Sequence, residues 1–332
     1  MTNLLVSMVV ALIMGITIHY GLANMEPPGP PRAGDAETPP AVSVRFAGIE
    51  PRQALRLEVQ EGHKEDVRFT LWLKTSVDSD AREEGGIPAA LAQAEGLGGL
   101  DLAAIDQGLG LETAERAATF VVRMKVTDAD ADTITLRWTV RRASPGEASD
   151  PEWTDAIKRA KKMRGTTKIA RSGAPLESTV EGESYRSVAS ADVSTLLRRW
   201  MAEPAPLFPD EPVGHGAIWE VRRELTDAGV TTGQTARVEI TDVKATGIVV
   251  REDHSAELLR SSLEFPGAPN VIELYADDLR LSGETTFTAR PESIAALGEG
   301  RIDTKVNLVL GLGIAQMVTR TTSSVELVVD RP

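Results

Sequence analysis

The sequence predicts a mainly β protein with a few helices (α+β), in which a duplicated β unit forms a curved antiparallel sheet, a half-barrel or a sandwich. Segments such as 67–75 and 119–126 alternate apolar and polar residues, a pattern typical of strands that are buried on one side. In addition, two parts of the chain share a common pattern, which indicates an internal repeat.

An uncharged apolar segment, Leu4 to Ile18, is the first element. Extended to Ala23, it has about 20 residues, the length of one membrane span. Residues 1–24 are therefore predicted to be a transmembrane anchor or a signal peptide that is cleaved after Ala23. Either interpretation places the rest of the chain in the bacterial periplasm or cell envelope, anchored to the membrane if the segment is uncleaved.

Residues 25–44 are predicted to be a spacer, because their Pro, Gly and Ala residues cannot form a packed core and favour an extended polyproline II conformation. The body that follows is divided into a first β repeat with helical insertions, 45–205, and a second β repeat, 206–332. This layout is typical of an exported envelope protein.

Composition excludes several classes of protein. The chain of 332 residues has no Cys, which excludes disulfides, thiol catalysis, Cys-ligated metal sites and an acylated Cys as a lipid anchor. Its 36 basic and 49 acidic residues give a net charge of −13, which argues against nucleic-acid binding. Aromatic residues make up 4%, so a surface that stacks on sugars or bases is not expected.

Period-two alternation predicts strands at 54–60, 67–75, 119–126 and 133–140. The last two are separated by "TDADAD", a cluster of turn residues, and are predicted to form a hairpin. Segment 76–111 is rich in Gly, Ala and acidic residues, and we expect a long loop with helical pieces there. Near the end of the chain, "RIDTKVNLVLGLGI" and "SSVELVVD" also have the pattern of strands.

The stretch "DPEWTDAIKRAKKMRG" predicts a helix. Asp150 suits the N-cap, Pro151 suits the first helical position, and Gly165 suits the end. One face of this helix is apolar and consists of Trp153, Ala156, Ile157 and Ala160. A second helix is predicted from Asp192 to Met201.

The internal repeat is indicated by three matches in the same order. The stretch "MKVTDADADTITLR", which begins at Met124, aligns without a gap with "VEITDVKATGIVVR" later in the chain. "TTKIAR" from Thr166 resembles "TTFTAR" from Thr285, and "LEV" at Leu57 resembles "WEV" at Trp219. Chance similarity between strands rich in Thr and Val is the alternative explanation.

Three acidic residues in the hairpin turn, Asp128, Asp130 and Asp132, suggest a calcium loop. An EF-hand requires Gly at its sixth position and Glu at its twelfth, and Thr133 and Thr139 stand there instead. The EF-hand is therefore excluded. A looser cation site and an ordinary solvated turn both remain open.

The stretch "PLFPDEPVGHGAIWEV", 206–221, places Asp210, Glu211 and His215 close together. These residues could ligate a metal ion, but neighbours in an extended segment point in different directions. The alternative is a structural linker, in which prolines end the preceding helix and glycines form the turn before a strand that begins near Trp219.

No catalytic, cofactor-binding or metal-binding residue is assigned. The four histidines, His19, His63, His215 and His254, form no HxH or HxxxH pair, and the chain has no GxSxG, HExxH or P-loop motif. A pocket that joined His63, His215 or His254 to a buried carboxylate and a Ser would indicate a hydrolase.

A resemblance to a known family rests on Pro212, Val213, Gly214, Gly216 and Trp219, which fit a P-V-G-x-G-x-x-W pattern. This pattern resembles that of an uncharacterised family of exported, β-rich bacterial proteins, which are often lipoproteins. The resemblance implies export and β architecture, and it implies no catalytic residue. This chain departs from the lipoproteins because it has no Cys to acylate.

These observations favour a non-enzymatic bacterial envelope protein that binds a ligand or partner, or serves as a scaffold. The expected partners are another envelope protein or an apolar ligand, with no nucleic acid and no cofactor. One alternative is a carrier that holds an apolar ligand such as a lipid in a curved β-sheet cavity. A second alternative is a hydrolase whose site has no recognised motif.

Overall fold

The computed structural model describes the folded body in eight ranges: 39–80, 114–147, 149–184, 186–227, 230–245, 247–261, 272–312 and 315–332. The predicted leader, most of the predicted spacer and residues 81–111 of the predicted loop lie outside these described residues. The described ranges contain twelve strands and two helices, so the prediction of a mainly β protein with a few helices is confirmed.

All twelve strands belong to one unclosed antiparallel sheet. Their bounds are β1 Ala41–Phe46, β2 Lys64–Asp80, β3 Ala114–Ala129, β4 Thr133–Pro145, β5 Arg164–Ala170, β6 Pro175–Glu181, β7 Ile218–Asp227, β8 Val230–Lys244, β9 Gly247–Ser261, β10 Ile272–Ala289, β11 Leu297–Leu312 and β12 Ala315–Asp330. Across the sheet they follow the order β1-β7-β8-β9-β10-β11-β12-β2-β3-β4-β5-β6. The two halves of the chain therefore form one sheet, joined where β12 pairs with β2.

The sheet curves around one hydrophobic core. Inward side chains from both edges of the sheet, Val44 on β1 and Val180 on β6, pack against this same core. A flat sheet of twelve strands would be about 50 Å wide, too wide for its two edges to share a core. The sheet includes Ala41, so residues 41–44 of the predicted spacer belong to a strand.

The first helix, α1 (Pro151–Ala160), has the predicted start and the predicted buried face. The Asp150 side chain accepts a hydrogen bond from the Trp153 backbone N–H at 2.7 Å, as expected of an N-cap. The helix ends earlier than predicted, because Gly165 is already part of β5, where it pairs with β4 and β6.

The second helix, α2 (Val188–Ala202), starts before the predicted position at Asp192. Ser187 and Ser190 form a capping box, which satisfies backbone N–H groups one turn upstream of the expected start. Trp200, near the end of α2, contacts Phe69 of β2 edge to face, so this helix covers part of the inward side of the sheet.

The prediction of a strand at 54–60 is wrong. The alternation is real, since Leu55, Leu57 and Val59 are buried, but the segment pairs along no strand. The Leu57 N–H donates to the carbonyl of Arg171, which follows β5, at 2.9 Å, and the next N–H donates to the carbonyl of Pro291, which follows β10, at 2.6 Å. The segment therefore crosses the ends of strands from both halves. Its "LEV" resembles the "WEV" of β7 in sequence, but only the "WEV" lies in a strand.

The two stretches that align in the sequence form hairpins with the same local geometry. The first hairpin is β3–β4 and the second is β8–β9. Each has a register shift at the aligned position, between Val126 and Asp128 in the first and between Ile240 and Asp242 in the second.

Side-chain hydrogen bonds at the register shifts also correspond. Thr127 Oγ1 donates to the Thr135 carbonyl at 3.2 Å, and Thr241 Oγ1 donates to the Val249 carbonyl at 3.3 Å. Both donors and both acceptors occupy aligned positions of the two stretches.

A glycine with positive φ contacts each hairpin at the same place. Gly62 (φ 86°) donates its N–H to the Val126 carbonyl at 3.0 Å, and Gly216 (φ 74°) donates its N–H to the Ile240 carbonyl at 3.0 Å. Most other residues would be strained at these φ values. The internal repeat stays a prediction, and these correspondences are compatible with it.

The segment that follows α2, 203–213, is called the connecting segment. On one side it is attached to β5 and the turn after it. Just before the segment, the carbonyl of Met201 accepts a hydrogen bond from Thr167 Oγ1 at 2.6 Å, and within it the Phe208 N–H donates to the Ser172 carbonyl at 2.8 Å.

On its other side the connecting segment reaches β7. The indole N–H of Trp219 donates to the Leu207 carbonyl at 3.2 Å. Pro204, Pro206 and Pro209 are buried, and because proline has no N–H, each removes one backbone donor that would need a partner there. The segment thus links the β5–β6 edge of the sheet to β7, next to the opposite edge.

A buried ion pair fixes the start of the connecting segment. Arg223 of β7 donates from Nη1 to Glu203 Oε1 and from Nε to Gln234 Oε1 at 3.1 Å. The side chains of Arg223 and Glu203 are 2% and 3% exposed. A buried charge that loses its partner is strongly destabilising, so this pair constrains how the sheet and the segment meet.

Replacing Arg223 by Met should lower the free energy of unfolding by about 3 to 5 kcal/mol, because Glu203 is left buried without a partner. The double variant R223M/E203L should lose less than R223M alone, since neither charge remains. Urea unfolding followed by circular dichroism measures both effects.

The matched control is Arg222→Met, which removes the neighbouring arginine from an exposed pair with Glu220. That change should cost less than about 1 kcal/mol. If R223M were no more destabilising than R222M, the structural role given to the buried pair would be wrong.

Candidate functional site

The inward face of the sheet carries a band of buried polar side chains. The band crosses consecutive strands from β7 through β12 to β2. Its members, called the polar band, are Arg223, Gln234, Glu252, His254, Thr285, Thr304, Ser323 and Thr75. Buried polar groups are costly unless they are hydrogen-bonded, so the partners of each member matter.

Both ends of the polar band are internally hydrogen-bonded. At one end, Ser323 Oγ donates to Thr75 Oγ1 at 3.1 Å. At the other end, Gln234 accepts from Arg223 and donates from Nε2 to Thr232 Oγ1 at 3.3 Å. These groups are satisfied by their neighbours on the sheet.

The middle of the polar band differs. Glu252 and His254 are two residues apart on β9 and so face the same side, and Thr285 lies opposite Glu252 on β10. His254 Nε2 is 3.2 Å from Thr285 Oγ1 and 3.5 Å from Glu252 Oε2. Glu252 Oε2 and His254 Nδ1 are buried and have no hydrogen-bond partner among the described residues.

Burial sets the charge of both groups. It raises the pKa of Glu252 to about 8 and lowers the pKa of His254 to about 3, with the positive charge of Arg223 adding to the second shift. At neutral pH the carboxyl is therefore mostly protonated and the imidazole is uncharged. Their 3.5 Å contact is a contact between neutral groups and contributes no ion pair.

Apolar side chains border the Glu252–His254 pair on both sides along the strands. Val250 and Phe287 lie on one side, and Leu281 lies on the other, all buried. Along the strands, the pair is thus bordered by buried hydrocarbon in both directions.

Two glycines stand beside the pair on the inward face. Gly283 lies opposite His254, and Gly300 lies opposite Thr285. A Cβ at Gly283 would come within 2.5 Å of Ile302 Cγ1, and one at Gly300 would collide with the side chain of Thr285. Glycine in a strand interior marks a close approach, here of β10 and β11, and the side chains of Ile302 and Thr285 fill the space beside the two glycines.

The cluster does not have the geometry of a catalytic triad. A triad uses one ring nitrogen of His for the nucleophile and the other for the orienting carboxylate. Here Nε2 of His254 contacts both Thr285 Oγ1 and Glu252 Oε2, while Nδ1 has no described partner. Asp253, the residue next to His254 in the sequence, pairs with arginines on the outer face.

The other histidines are placed separately. His63 Nε2 is 3.6 Å from Glu65 Oε2, and Glu65 itself accepts hydrogen bonds from the Ser293 hydroxyl at 2.9 Å and the Ile294 and Ala295 N–H groups. That carboxylate holds the turn before β11. His19 lies outside the described residues.

In the stretch 206–221, Asp210 and Glu211 are exposed, and His215 Nε2 lies 3.2 Å from the Thr241 carbonyl. The stretch forms most of the connecting segment and the entry to β7, which is the position expected of a structural linker. Within the described ranges, no group of three or more His, Asp or Glu side chains is arranged to hold a metal ion.

The side chain of Asp130 is hydrogen-bonded within the first hairpin turn. Asp130 accepts hydrogen bonds from the Asp132 N–H at 2.8 Å, the Thr133 N–H at 2.7 Å and the Thr133 hydroxyl at 3.0 Å. These bonds lower the pKa of Asp130. The side chains of Asp128 and Asp132 are exposed.

No family model matches the chain, and a search of the curated proteins gives no match. The resemblance to exported β-rich proteins therefore stays a prediction. Its residues have clear local roles: Gly214 donates its N–H to the Ala47 carbonyl at 2.9 Å, Val213 bridges to Gln53, and Trp219 is buried. Neither helix in the described part of the chain is long and apolar enough to cross a membrane.

Stability should depend on pH through Glu252 and His254. The raised pKa of Glu252 means that the folded state binds the extra proton between pH 4.5 and about 8, so stability falls with rising pH there. The lowered pKa of His254 makes stability rise between about 3 and 6.5. The two effects oppose each other between 4.5 and 6.5, and above pH 6.5 the free energy of unfolding should fall by about 2 kcal/mol by pH 8.

Urea unfolding of the wild type and Glu252→Gln across this range tests the assignment. The variant should lose the decline above pH 6.5, because Gln does not titrate. Asp253→Asn, on the same strand but on the outer face, should keep it. Parallel pH profiles for the wild type and E252Q would show that Glu252 does not cause the decline.

Proposed function

We propose that this protein is a non-enzymatic binding protein of the bacterial cell envelope that holds an apolar or amphipathic ligand, such as a lipid, against the inward face of its sheet. The observation that carries the proposal is that two buried polar atoms in the middle of the polar band, Glu252 Oε2 and His254 Nδ1, have no hydrogen-bond partner among the described residues. An unsatisfied buried polar atom costs about 1 to 3 kcal/mol, and a ligand that supplied partners would remove that cost.

The architecture supports binding in two ways. The sheet is unclosed, so a ligand can reach its inward face without breaking a strand pair. A curved sheet with an apolar interior is also the arrangement in which small β proteins hold apolar ligands.

Export is proposed from the sequence. The apolar segment Leu4 to Ile18 has the composition of a signal or anchor. The resemblance through Pro212 and Trp219 to exported β-rich proteins agrees with this location. The predicted internal repeat, with which the two similar hairpins are compatible, would explain how a single β unit gives rise to a twelve-stranded sheet.

Native mass spectrometry of the full chain, purified after export in a bacterial host, tests the proposal. We expect a native mass above the polypeptide mass, and the excess should disappear on denaturation and match a lipid in the solvent extract. A native mass equal to that of the polypeptide, with no lipid in the extract, would contradict ligand binding and favour a scaffold that binds other envelope proteins.

A further inference from the structure

We propose that the polar group of the ligand is uncharged, carries a hydroxyl or carbonyl oxygen, and is held by hydrogen bonds from Glu252 and His254. The ligand class is therefore a neutral long-chain amphipath, such as an acylglycerol or a fatty alcohol, rather than an anionic lipid. This inference rests on the proposed function.

Glu252 Oε2 and His254 Nδ1 each offer one hydrogen-bonding position to a ligand. A protonated Glu252 presents an O–H donor, and Thr285 already occupies Nε2 of His254. Nδ1 of the neutral imidazole is either a donor or an acceptor, depending on the tautomer. A hydroxyl group, which both donates and accepts, can pair with both free positions, and a carbonyl oxygen can accept from Glu252.

Charge restricts the ligand as well. Arg223 faces the pair from β7, and it is already paired with Glu203 and hydrogen-bonded to Gln234. The residues that pair with His254 and Glu252 are Ala236 and Val238 on β8 and Gly283 and Thr285 on β10, and none of them titrates. Among the described residues, no cation that faces the pair is free to neutralise an anionic head group, so burying one beside this carboxyl group would be strongly unfavourable.

The hydrocarbon part of the ligand requires an apolar surface. Along β9 and β10, apolar side chains continue on both sides of the pair: Val250 and Phe287 in one direction, Leu281 and Leu279 in the other. A chain that lies along these strands keeps its hydrocarbon against hydrocarbon while its polar oxygen meets the pair. The spacing of polar and apolar groups on the sheet thus matches that of an amphipath.

Ligand binding should depend on pH through Glu252 and not through the ligand. Above pH 8, Glu252 loses its proton, so the site loses its donor and gains a buried negative charge. A neutral ligand does not titrate, so any loss of binding at high pH reports the protein. Gln in place of Glu252 keeps a neutral donor of similar shape at all pH values.

The experiment uses the full chain with two lipid probes, 1-monooleoylglycerol and oleyl sulfate, which carry the same kind of hydrocarbon chain. The sulfate stays anionic at every pH used. Retained lipid is counted by native mass spectrometry at about pH 6 and about pH 9.5, and circular dichroism checks that the protein is folded at both. We expect monooleoylglycerol to bind at least about tenfold more tightly than oleyl sulfate at the lower pH. Its binding should weaken about tenfold at the higher pH.

Three variants locate the effect. E252Q should bind monooleoylglycerol equally well at both pH values, and H254L should bind it about tenfold more weakly at both. Asp253→Asn, on the same strand but outward, should behave as the wild type. A wild-type protein that binds without any change between the two pH values, or E252Q with the same loss at high pH, would overturn the inference.

The outcomes separate the two proposals. If the protein holds oleyl sulfate or another permanently anionic lipid more tightly than monooleoylglycerol, the inference about the head group is wrong and the proposed function stands. If neither probe binds and no lipid is carried through purification, the proposed function is wrong as well.

Discussion

A buried ion pair fixes the start of the connecting segment, which links the β5–β6 edge of the sheet to β7 near the opposite edge. Arg223 on β7 and Glu203 at the end of α2 are both removed from water, so each requires the other, and their contact fixes where the connecting segment begins. From there the segment runs past β5 to β7, with three prolines that bring no donor into the interior. The twelve strands can bury one common face only because this segment and the two helices lie within the curve.

The same enclosure gives the inward face its chemistry. Glu252 and His254 lie on a strand whose other inward residues are mostly apolar, and burial removes the charge from both side chains. Their neighbours at the two ends of the polar band satisfy one another, whereas the middle pair keeps one oxygen and one nitrogen without a described partner. This arrangement differs from a catalytic triad, because His254 directs a single ring nitrogen at both of its polar neighbours, and we propose that it binds a ligand.

Local signals in the sequence predicted the local parts of the structure. Asp150 and the apolar period of the residues after it predicted α1, and the alternation around "TDADAD" predicted the β3–β4 hairpin. The segment 54–60 alternates in the same way but crosses strand ends, because alternation reports burial on one side and not pairing. Glu252 and His254 follow the apolar Val250 at intervals of two residues, which indicates that all three face the core. Asp253 is even closer to His254 in the sequence, so the sequence alone does not identify Glu252 as the carboxyl group beside the imidazole. Which strands become neighbours, and so where Thr285 and Arg223 stand, depends on long-range pairing that no local pattern contains.

The protonation state of Glu252 is the most direct test of this account. Full-length protein labelled with [δ-13C]glutamate, compared with E252Q to assign one resonance, can be titrated by NMR. Because Glu252 is buried, its carboxyl should titrate near pH 8. A midpoint near 4.5, the ordinary value for glutamate, would show that the carboxyl is charged and hydrated, and would contradict a neutral binding site on the inward face.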